Sequence, residues 1–494
     1  MPVATSSWRD HWRTALTLFL FVNFLYLLTS TGRVHTIDEI SSVIQAESLA
    51  LHASTAVPQA VGSRVYYGKI GRDGLPHSAY PPGHSLAAVP WYAFGHFVLA
   101  RLPGVSAQIN DIVVSMTCTW SSATFAALAV AFVFLLANSL GLNRLDSVAT
   151  AFVVALATPV FVYSGWFFSE PLTAACWLGA AYALFGMAGD EPIGLNRALI
   201  AALLLGFALF VRATNVLAPF VFIAAVIVRD KRRAMRPAAV LCAVVGVFGL
   251  LFLLRNLELY GNAFDFGYPK FAEAGRETAS FDIPWHVGLF AFLFSPGKSI
   301  LLFCPAVVLA VGGLPRLWRR NRGLAIVCTF VPLVYLLLFS HYSSFEGSYS
   351  YGPRYMVPSL ALLCVALGAW FIDPPRWWRA ALIVFFVCGV LVQVIGLSTN
   401  IMEDMVNNHY YDPRYFYQMG YSPIPGQLRL IGKYAGGAPA PLGMGFDRWF
   451  LFAAKAGMPG WIIVSMLGII LAGLALTGWK LVRSLPNGEP TTAE

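Results

Sequence analysis

Apolar runs of about 18 to 25 residues recur along the chain, and they constrain its fold more than any other feature. Of the 494 residues, 58% are hydrophobic and 12% are charged. Runs of this length and composition are typical of helices that cross a lipid bilayer, which excludes a soluble globular protein. The sequence therefore predicts an all-α polytopic membrane protein surrounded by membrane lipids.

The distribution of charge predicts how the helices cross the membrane. The net charge is +9, but the basic residues stand in short clusters between apolar runs, which indicates membrane topology rather than nucleic-acid binding. With the amino terminus inside, the basic clusters fall in the even-numbered connections, as expected for cytoplasmic loops. The predicted twelve spans are 13–30, 111–139, 147–165, 171–188, 197–212, 214–229, 237–256, 298–314, 323–340, 354–371, 380–398 and 460–480.

The same charge pattern settles one ambiguous segment, Ser85 to Arg101. Counting it as a span would place every later basic cluster outside, and it contains Pro90 and Gly95. We therefore predict an interfacial or re-entrant helix at the outer leaflet. Three substantial loops then face outward: 31–110, 257–297 and 399–459.

This topology predicts the side of the membrane on which inserted tags will lie. Tags at Lys231 and Arg320 should be cytoplasmic, whereas tags near Lys270 and Gly436 should be external, because Lys and Arg accumulate in cytoplasmic loops. Accessibility of the tags in intact and permeabilised cells checks this. A tag at Lys270 that proves cytoplasmic contradicts the twelve-span arrangement.

An acidic pair, Asp38 and Glu39, follows the first span directly. The run Thr36-Ile37-Asp38-Glu39 has the spacing of a capping box, in which Thr36 and Glu39 bind each other's backbone amides. Asp38 would then lie in the first helical turn, where the helix dipole favours its ionised form. An outward-facing carboxylate near the membrane suits a general base, and helix capping is the alternative for both residues.

The order of the motifs resembles a known class of enzyme. Asp38-Glu39 after the first span, followed by Tyr80-Pro81-Pro82-Gly83, is similar to the GT-C class of lipid-carrier-dependent glycosyltransferases. The resemblance is to the bacterial branch with protein O-mannosyltransferases and aminoarabinose transferases of lipid A. Three later segments share it: Phe168-Ser169-Glu170-Pro171-Leu172, Leu293-Phe294-Ser295-Pro296-Gly297-Lys298, and Gly347 through Gly352-Pro353-Arg354-Tyr355.

The resemblance divides the chain into two parts. It implies a catalytic transmembrane domain over residues 1–400, including the outer loop 31–110. The remainder, 401–494, holds the last outer loop, the final transmembrane helix and a cytoplasmic tail. That remainder matches none of the family's motifs.

The resemblance also implies an activity and a catalytic base. Asp38 would deprotonate an acceptor hydroxyl or amine as it attacks the anomeric carbon of a hexose or pentose on polyprenyl phosphate. The acceptor would be a glycolipid, polysaccharide or protein at the outer face of a bacterial inner membrane. Two departures point to a different donor or phosphate ligand. Tyr80 stands where aminoarabinose transferases carry Lys, and Ser41-Ser42-Val43 replaces an aromatic residue.

Cations at the outer ends of predicted spans oppose the positive-inside rule and are candidates to bind the donor phosphate. Snorkelling to lipid headgroups is the alternative for each of them. Lys298 and Arg354 also lie within the family-like motifs. The candidate phosphate ligands are Lys298, Arg354, Arg255 and Arg212.

Other polar residues are predicted to support the site. Glu39 and Glu170 are acidic support, and Glu170 could instead cap the helix that contains Pro171. Lys69, Tyr80 and His84 form a candidate substrate loop. The outward histidines lack metal-ligand spacing, so no metal site is assigned, although a divalent ion stays open as a cofactor.

Two other functions fit a polytopic chain. A transporter or lipid flippase should carry ionisable residues in mid-span and paired broken helices, whereas charge here gathers at one face. An O-antigen ligase or polymerase is usually dominated by one large late loop with paired arginines, and the loop 399–459 contains Arg414 and Arg429. The charge distribution favours the carrier-dependent glycosyltransferase.

Overall fold

The computed structural model describes residues 8–60, 66–187, 191–268, 270–271, 276–277, 280–347, 349–407 and 414–485. Within these residues the structure is predominantly α-helical, as predicted. The α-helices are α1 (Trp8–Thr29), α2 (Ile37–His52), α3 (Gly83–Ala93), α4 (Asn110–Ser139), α5 (Arg144–Ala157), α6 (Val160–Tyr163), α7 (Glu170–Ala181), α8 (Leu195–Val211), α9 (Leu217–Asp230), α10 (Met235–Tyr260), α11 (Trp285–Phe294), α12 (Ile300–Phe303), α13 (Val307–Arg320), α14 (Arg322–Ser340), α15 (Val357–Leu363), α16 (Trp378–Ser398), α17 (Ile401–Asn407), α18 (Arg414–Tyr417), α19 (Pro423–Ala435), α20 (Trp449–Ala456) and α21 (Gly460–Ser484).

Short strands and tight helical turns complete the fold. The strands form two antiparallel pairs, β1 (Gly68–Ile70) with β2 (Pro76–Ser78) and β3 (Lys270–Phe271) with β4 (Arg276–Glu277). The 3₁₀ and π-helical turns are Pro58–Ala60, Phe94–Val98, Leu99–Arg101, Ala107–Ile109, Tyr182–Gly186, Ala213–Val216, Lys231–Ala234, Arg354–Met356, Cys364–Phe371 and Met419–Tyr421.

Helical structure lies at each of the twelve predicted spans, but the span count itself is not confirmed. Several of those segments are short or broken; the predicted span 147–165, for example, is divided between α5 and α6. By length and composition, seven helical stretches among the described residues could cross a membrane. They support a multi-pass membrane protein and are Asp10–Thr29, Ala107–Ser139, Ala213–Tyr260, Arg322–Ser340, Arg354–Phe371, Trp378–Ser398 and Gly460–Ser484.

The segment from Ser85 to Arg101, predicted as an interfacial or re-entrant helix, is helical in the structure. It comprises most of α3 and the turns that continue it to Arg101. The segment packs closely on α4, since a Cβ at Gly95 would lie 2.2 Å from the Thr117 hydroxyl oxygen. Helix α2, whose first turn carries the acidic pair, packs against α3.

The helices differ in how far other helices cover them. In the stretch Ala107–Ser139, which contains α4, 83% of the most apolar part is buried inside the protein. The buried share is 94% for the segment Arg354–Phe371. The corresponding value is 22% for both α16 and α21, whose exposed apolar side chains are suited to lipid contact. The segment Arg354–Phe371 is therefore almost completely enclosed by other parts of the protein, and Arg354 is its first residue.

The late segment of the chain, which we define as the described residues after 400, packs against the beginning of the chain. Helix α21 lies along α1, and the Trp449 amide donates to the Ser30 carbonyl at 2.9 Å. Gly32 has a positive φ of 66°, and a Cβ there would lie 2.2 Å from Trp449 Cβ, so only glycine permits this approach. The structure thus joins Trp449 to the loop that precedes α2. The division into 1–400 and 401–494 stays a prediction.

Candidate active site

The first turn of α2 is fixed by the predicted capping box, which is confirmed. Thr36 precedes the helix with extended backbone angles, and its hydroxyl accepts from the Glu39 amide at 3.4 Å. The Glu39 carboxylate in turn accepts from the Thr36 amide at 2.9 Å. Asp38 therefore lies in the first turn, where the helix dipole favours a negative charge.

Glu39 does more than cap its own helix. Its Oε2 atom also accepts from the His35 amide at 2.7 Å, while Oε1 accepts from the Phe167 amide at 2.9 Å. The side chain is completely buried. Its charge is thus spread over three backbone amides, and it joins α2 to the loop before α7. The sequence predicted the cap but gave no sign of the contact with Phe167.

The Asp38 carboxylate is held by two side chains from distant parts of the chain. Tyr80 Oη donates to Oδ1 at 2.5 Å, and Arg354 Nη1 donates to Oδ2 at 2.7 Å. Burial and the nearby Asp38 charge raise the pKa of Tyr80 well above its usual range, so its hydroxyl stays a donor. Asp38 keeps 22% of its side chain exposed, so the carboxylate remains accessible.

Glu170 binds the two arginines of the site. It occupies the first turn of α7, and its Oε1 atom accepts from Arg212 Nη1 at 2.8 Å and from Arg354 Nε at 3.0 Å. The carboxylate is 2% exposed and points to the cations instead of a backbone amide of its helix. It therefore keeps two guanidinium groups together that would otherwise repel each other.

The two arginines differ in accessibility. Arg354 is 4% exposed, bridges Asp38 and Glu170, and stacks with Cζ 3.6 Å from the centre of the Phe168 ring. Arg212 is 22% exposed and lies over the Tyr355 ring at 4.3 Å. Arg354 is thus fixed by the protein, while Arg212 has surface left for an anion.

Side chains of this group line a partly open cleft. Asp38, Arg212 and Arg354 line it, and Glu170, which pairs with both arginines, lies outside the lining. Ser42 and Tyr268 were not identified from the sequence: Tyr268 lies in an irregular segment with no periodicity, and Ser42 is one helical turn after Asp38. The lining residues are Asp38, Ser42, Tyr80, Pro81, His84, Phe167, Phe168, Ser169, Val211, Arg212, Tyr268 and Arg354.

His84, a predicted substrate-loop residue, lines this cleft in its neutral form. It is buried on α3 and lies 4.4 Å from the Phe167 ring between centroids. Burial and the Arg354 charge lower the pKa of His84 to about 3. It can therefore supply a hydrogen bond but no positive charge at neutral pH.

Three other basic residues that were predicted to belong to the site do not line the cleft. Lys298 is completely buried and donates to the carbonyl and hydroxyl of Ser350, at 2.9 and 3.1 Å. Lys69 pairs with Asp265 at 2.7 Å. Arg255 donates to Asn256 Oδ1 at 3.3 Å. The phosphate-binding role of Lys298 and Arg255 and the substrate-loop role of Lys69 stay predictions, whereas Arg212 and Arg354 are brought together with Asp38.

The described residues contain no group of three or more His, Cys, Asp or Glu side chains placed to hold a metal ion. Asp38, which lines the cleft, and Glu170 are both paired with Arg354.

Comparison with solved structures finds proteins that align with nearly the whole length of this chain. ArnT from Cupriavidus metallidurans bound to undecaprenyl phosphate has a TM-score of 0.48 at 14% identity, over 96% of this chain and 78% of that chain. The same protein in the apo state has a TM-score of 0.48 at 16% identity, over 97% and 74%. The archaeal oligosaccharyltransferase AglB from Archaeoglobus fulgidus, in complex with an inhibitory peptide and a dolichol-phosphate, has a TM-score of 0.45 at 12% identity, over 98% and 57%.

Both proteins are of the GT-C class that the sequence motifs resemble. At these TM-scores the likeness is one of chain path and does not extend to what this chain does. No protein-family model matches the chain, and no curated protein matches it.

Proposed function

We propose that the protein is an inverting membrane glycosyltransferase that moves a sugar from a polyprenyl-phosphate carrier to an acceptor. The observation that supports it most is the accessible Asp38 carboxylate, held in a cleft beside an arginine with open surface. A base on one side of the cleft and a cation on the other are what a single displacement with a phosphate leaving group requires. The sugar is a hexose or pentose, and the acceptor is a glycolipid, polysaccharide or protein.

The reaction assigns a separate task to each group. Asp38 takes the proton from the acceptor hydroxyl or amine as that atom forms its bond to the anomeric carbon. The bond from the anomeric carbon to the phosphate oxygen breaks at the same time, and its electron pair leaves with the carrier phosphate. Arg212 stabilises the negative charge that develops there. The sugar changes its anomeric configuration because attack and departure occur on opposite faces.

Arg354 has an orienting task in this proposal. Both carboxylates bind it, and almost none of it is exposed, so it keeps Asp38 and Glu170 at a fixed separation. Tyr80 holds the other oxygen of Asp38. A base fixed by two donors does not have to be reoriented when the acceptor arrives. The active site would face the outside of a bacterial inner membrane, following the predicted topology.

A panel of donors tests the proposed function. Purified protein in lipid nanodiscs is incubated with polyprenyl-phosphate-linked hexoses and pentoses and with candidate acceptors, and release of free carrier phosphate is followed. We expect release with at least one donor, dependent on acceptor. If no donor in the panel yields carrier phosphate, while the folded protein stays monodisperse, the proposal is wrong.

Arg212→Ala should weaken use of the donor. A charge-assisted hydrogen bond contributes about 1.5 to 3 kcal/mol, so we expect the donor KM to rise about tenfold or more. Initial rates at varied donor concentration measure it. Arg255→Ala is the matched control, because Arg255 also lies at the predicted outer end of a helix but does not line the cleft. Equal rises in KM for both variants contradict the assignment.

A further inference from the structure

A buried cluster of charged side chains lies outside the cleft, where Asp447 of the late segment contacts the loop that precedes α2. His35 Nε2 lies 2.9 Å from Asp447 Oδ2, and His35 Nδ1 lies 3.7 Å from Glu39 Oε2. Arg33 Nε lies 2.8 Å from the other oxygen of Asp447. The histidine, Asp447 and Glu39 side chains are each no more than 3% exposed. The ring of His35 also stacks on Trp166, with centroids 4.7 Å apart.

The geometry favours the charged form of His35. Both ring nitrogens face carboxylates, and a neutral imidazole would direct a lone pair at one of them. With His35 protonated, two cations balance Asp447 and Glu39, whereas neutral His35 leaves a buried net negative charge. Burial lowers the pKa of His35, but Asp447 and Glu39 raise it by more, so the pKa is raised overall. Burial raises the pKa of Asp447, but Arg33 and His35 lower it to about 2.

Asp447 is itself held firmly by the fold. Its amide donates to the Ser398 carbonyl at 3.0 Å, at the end of α16. The next residue, Arg448, donates from Nη1 to the Asp447 carbonyl at 2.7 Å. These backbone contacts hold Asp447 in place. From Asp447, a continuous set of contacts runs through His35 and Glu39 to the first turn of α2.

We propose that Asp447 is a positioning residue for sugar transfer: it holds His35 against Glu39 and thereby fixes the first turn of α2, which carries Asp38. The inference rests on the proposed function, because it concerns how the base of that reaction is presented. It also gives the late segment, whose sequence matches no family motif, a role at the site. Asp447 does not touch the cleft, so it acts through its neighbours.

The proposal implies a pH dependence with a definite sign. Because the folded-state pKa of His35 is raised, its stabilisation is fully present below its ordinary value of about 6.5 and is lost as pH rises through the folded value. The charged groups that face His35 are Asp447 and Glu39, and the cations Arg33 and Arg448 both interact with Asp447. Asp447 keeps its negative charge over that range, because its pKa is lowered to about 2, so the loss of the His35 proton weakens their ion pair.

Hydrogen exchange across pH 6 to 9 tests the contact itself, on the full chain in nanodiscs. In the parent, protection of the His35, Thr36 and Phe167 amides, corrected for intrinsic rates, should fall as pH rises. Asp447→Asn should show the lower protection already at pH 6. Asp404→Asn is the matched control, since Asp404 is another buried aspartate of the late segment, paired with Arg429 at 3.4 Å. It should behave like the parent.

Turnover measured on the same samples tests the positioning role. At pH 6, Asp447→Asn should lower kcat about tenfold with little change in the donor KM, as for loss of an outer partner that orients a functional group. The kcat of the parent should decline as pH rises through the folded-state pKa of His35, and this decline should be absent from Asp447→Asn. If Asp447→Asn does not fold, His35→Gln removes the same titration and should also abolish the decline.

The outcomes separate this proposal from the proposed function. Parent-like protection and pH profile in both Asp447→Asn and His35→Gln overturn the positioning role while transfer itself stands. An equal loss in Asp404→Asn overturns it as well, because the effect is then general to the late segment. A parent that shows the predicted protection but transfers no sugar refutes the proposed function, and with it any role of Asp447 in catalysis.

Discussion

Asp38→Asn should lower the turnover number about a hundredfold to ten-thousandfold, the usual cost of losing a general base. Asn keeps the size of the side chain and can still accept from Tyr80 or Arg354, so the cleft should persist and donor should still bind. The base is lost because an amide cannot take the acceptor proton. Donor binding and single-turnover transfer, measured on the same preparation, separate the two effects. Near-normal turnover by a folded, donor-binding variant contradicts the assignment of the base.

Glu39→Gln is the matched control for this substitution, since it also replaces a carboxylate of the same helical turn. The capping box alone suggests a mild effect, because Gln can cap. The structure predicts a loss of stability, because an amide group cannot satisfy all three backbone amides that now donate to Glu39. An unsatisfied buried donor costs about 1 to 3 kcal/mol. We therefore expect Glu39→Gln to melt at a lower temperature yet keep more turnover than Asp38→Asn.

Arg354→Ala should have the other large effect, on both stability and turnover. It leaves Asp38 without one of its two donors and leaves Glu170 with Arg212 alone. Removing one partner of a buried ion pair costs about 3 to 5 kcal/mol, because a charge stays buried and uncompensated. Thermal unfolding in detergent and kcat measured well below the melting temperature check the two parts.

Arg354→Lys distinguishes orientation from charge. Lys keeps the charge but has one ammonium group in place of the fork that reaches both carboxylates. We expect a stability between those of the parent and Arg354→Ala, with kcat reduced and the donor KM little changed. A raised KM with unchanged kcat would mean that Arg354 binds the donor phosphate directly, as the sequence alone suggested.

The sequence predicted the parts of this arrangement that depend on local patterns. Apolar runs gave the helices, and the spacing from Thr36 to Glu39 gave the capping box. Arg212 and Arg354 were identified because outward cations oppose the positive-inside rule. That rule does not distinguish cations near the cleft from others, so it also selects Arg255 and Lys298, the second of which lies within a family-like motif as Arg354 does. Only the three-dimensional packing separates the two groups.

Contacts between distant segments could not be predicted in this way. In the sequence Tyr80 is conspicuous because it replaces Lys, but its hydrogen bond to Asp38 depends on how α3 packs against α2. The ion pairs between Glu170 and two arginines could not be predicted from the motif, because its Ser-Glu-Pro run equally suits the start of a helix. Asp447 lies more than 400 positions after His35, in a loop with no periodic pattern to predict its fold.

The anomeric configuration of the product, measured together with the released carrier, tests the central claim most directly. Purified protein is given a donor of defined anomeric configuration, and the product linkage is determined by NMR while carrier species are quantified. A base at Asp38 with a phosphate leaving group predicts one product of inverted configuration and an equal amount of polyprenyl monophosphate. Retention of configuration, or release of polyprenyl diphosphate instead, contradicts it.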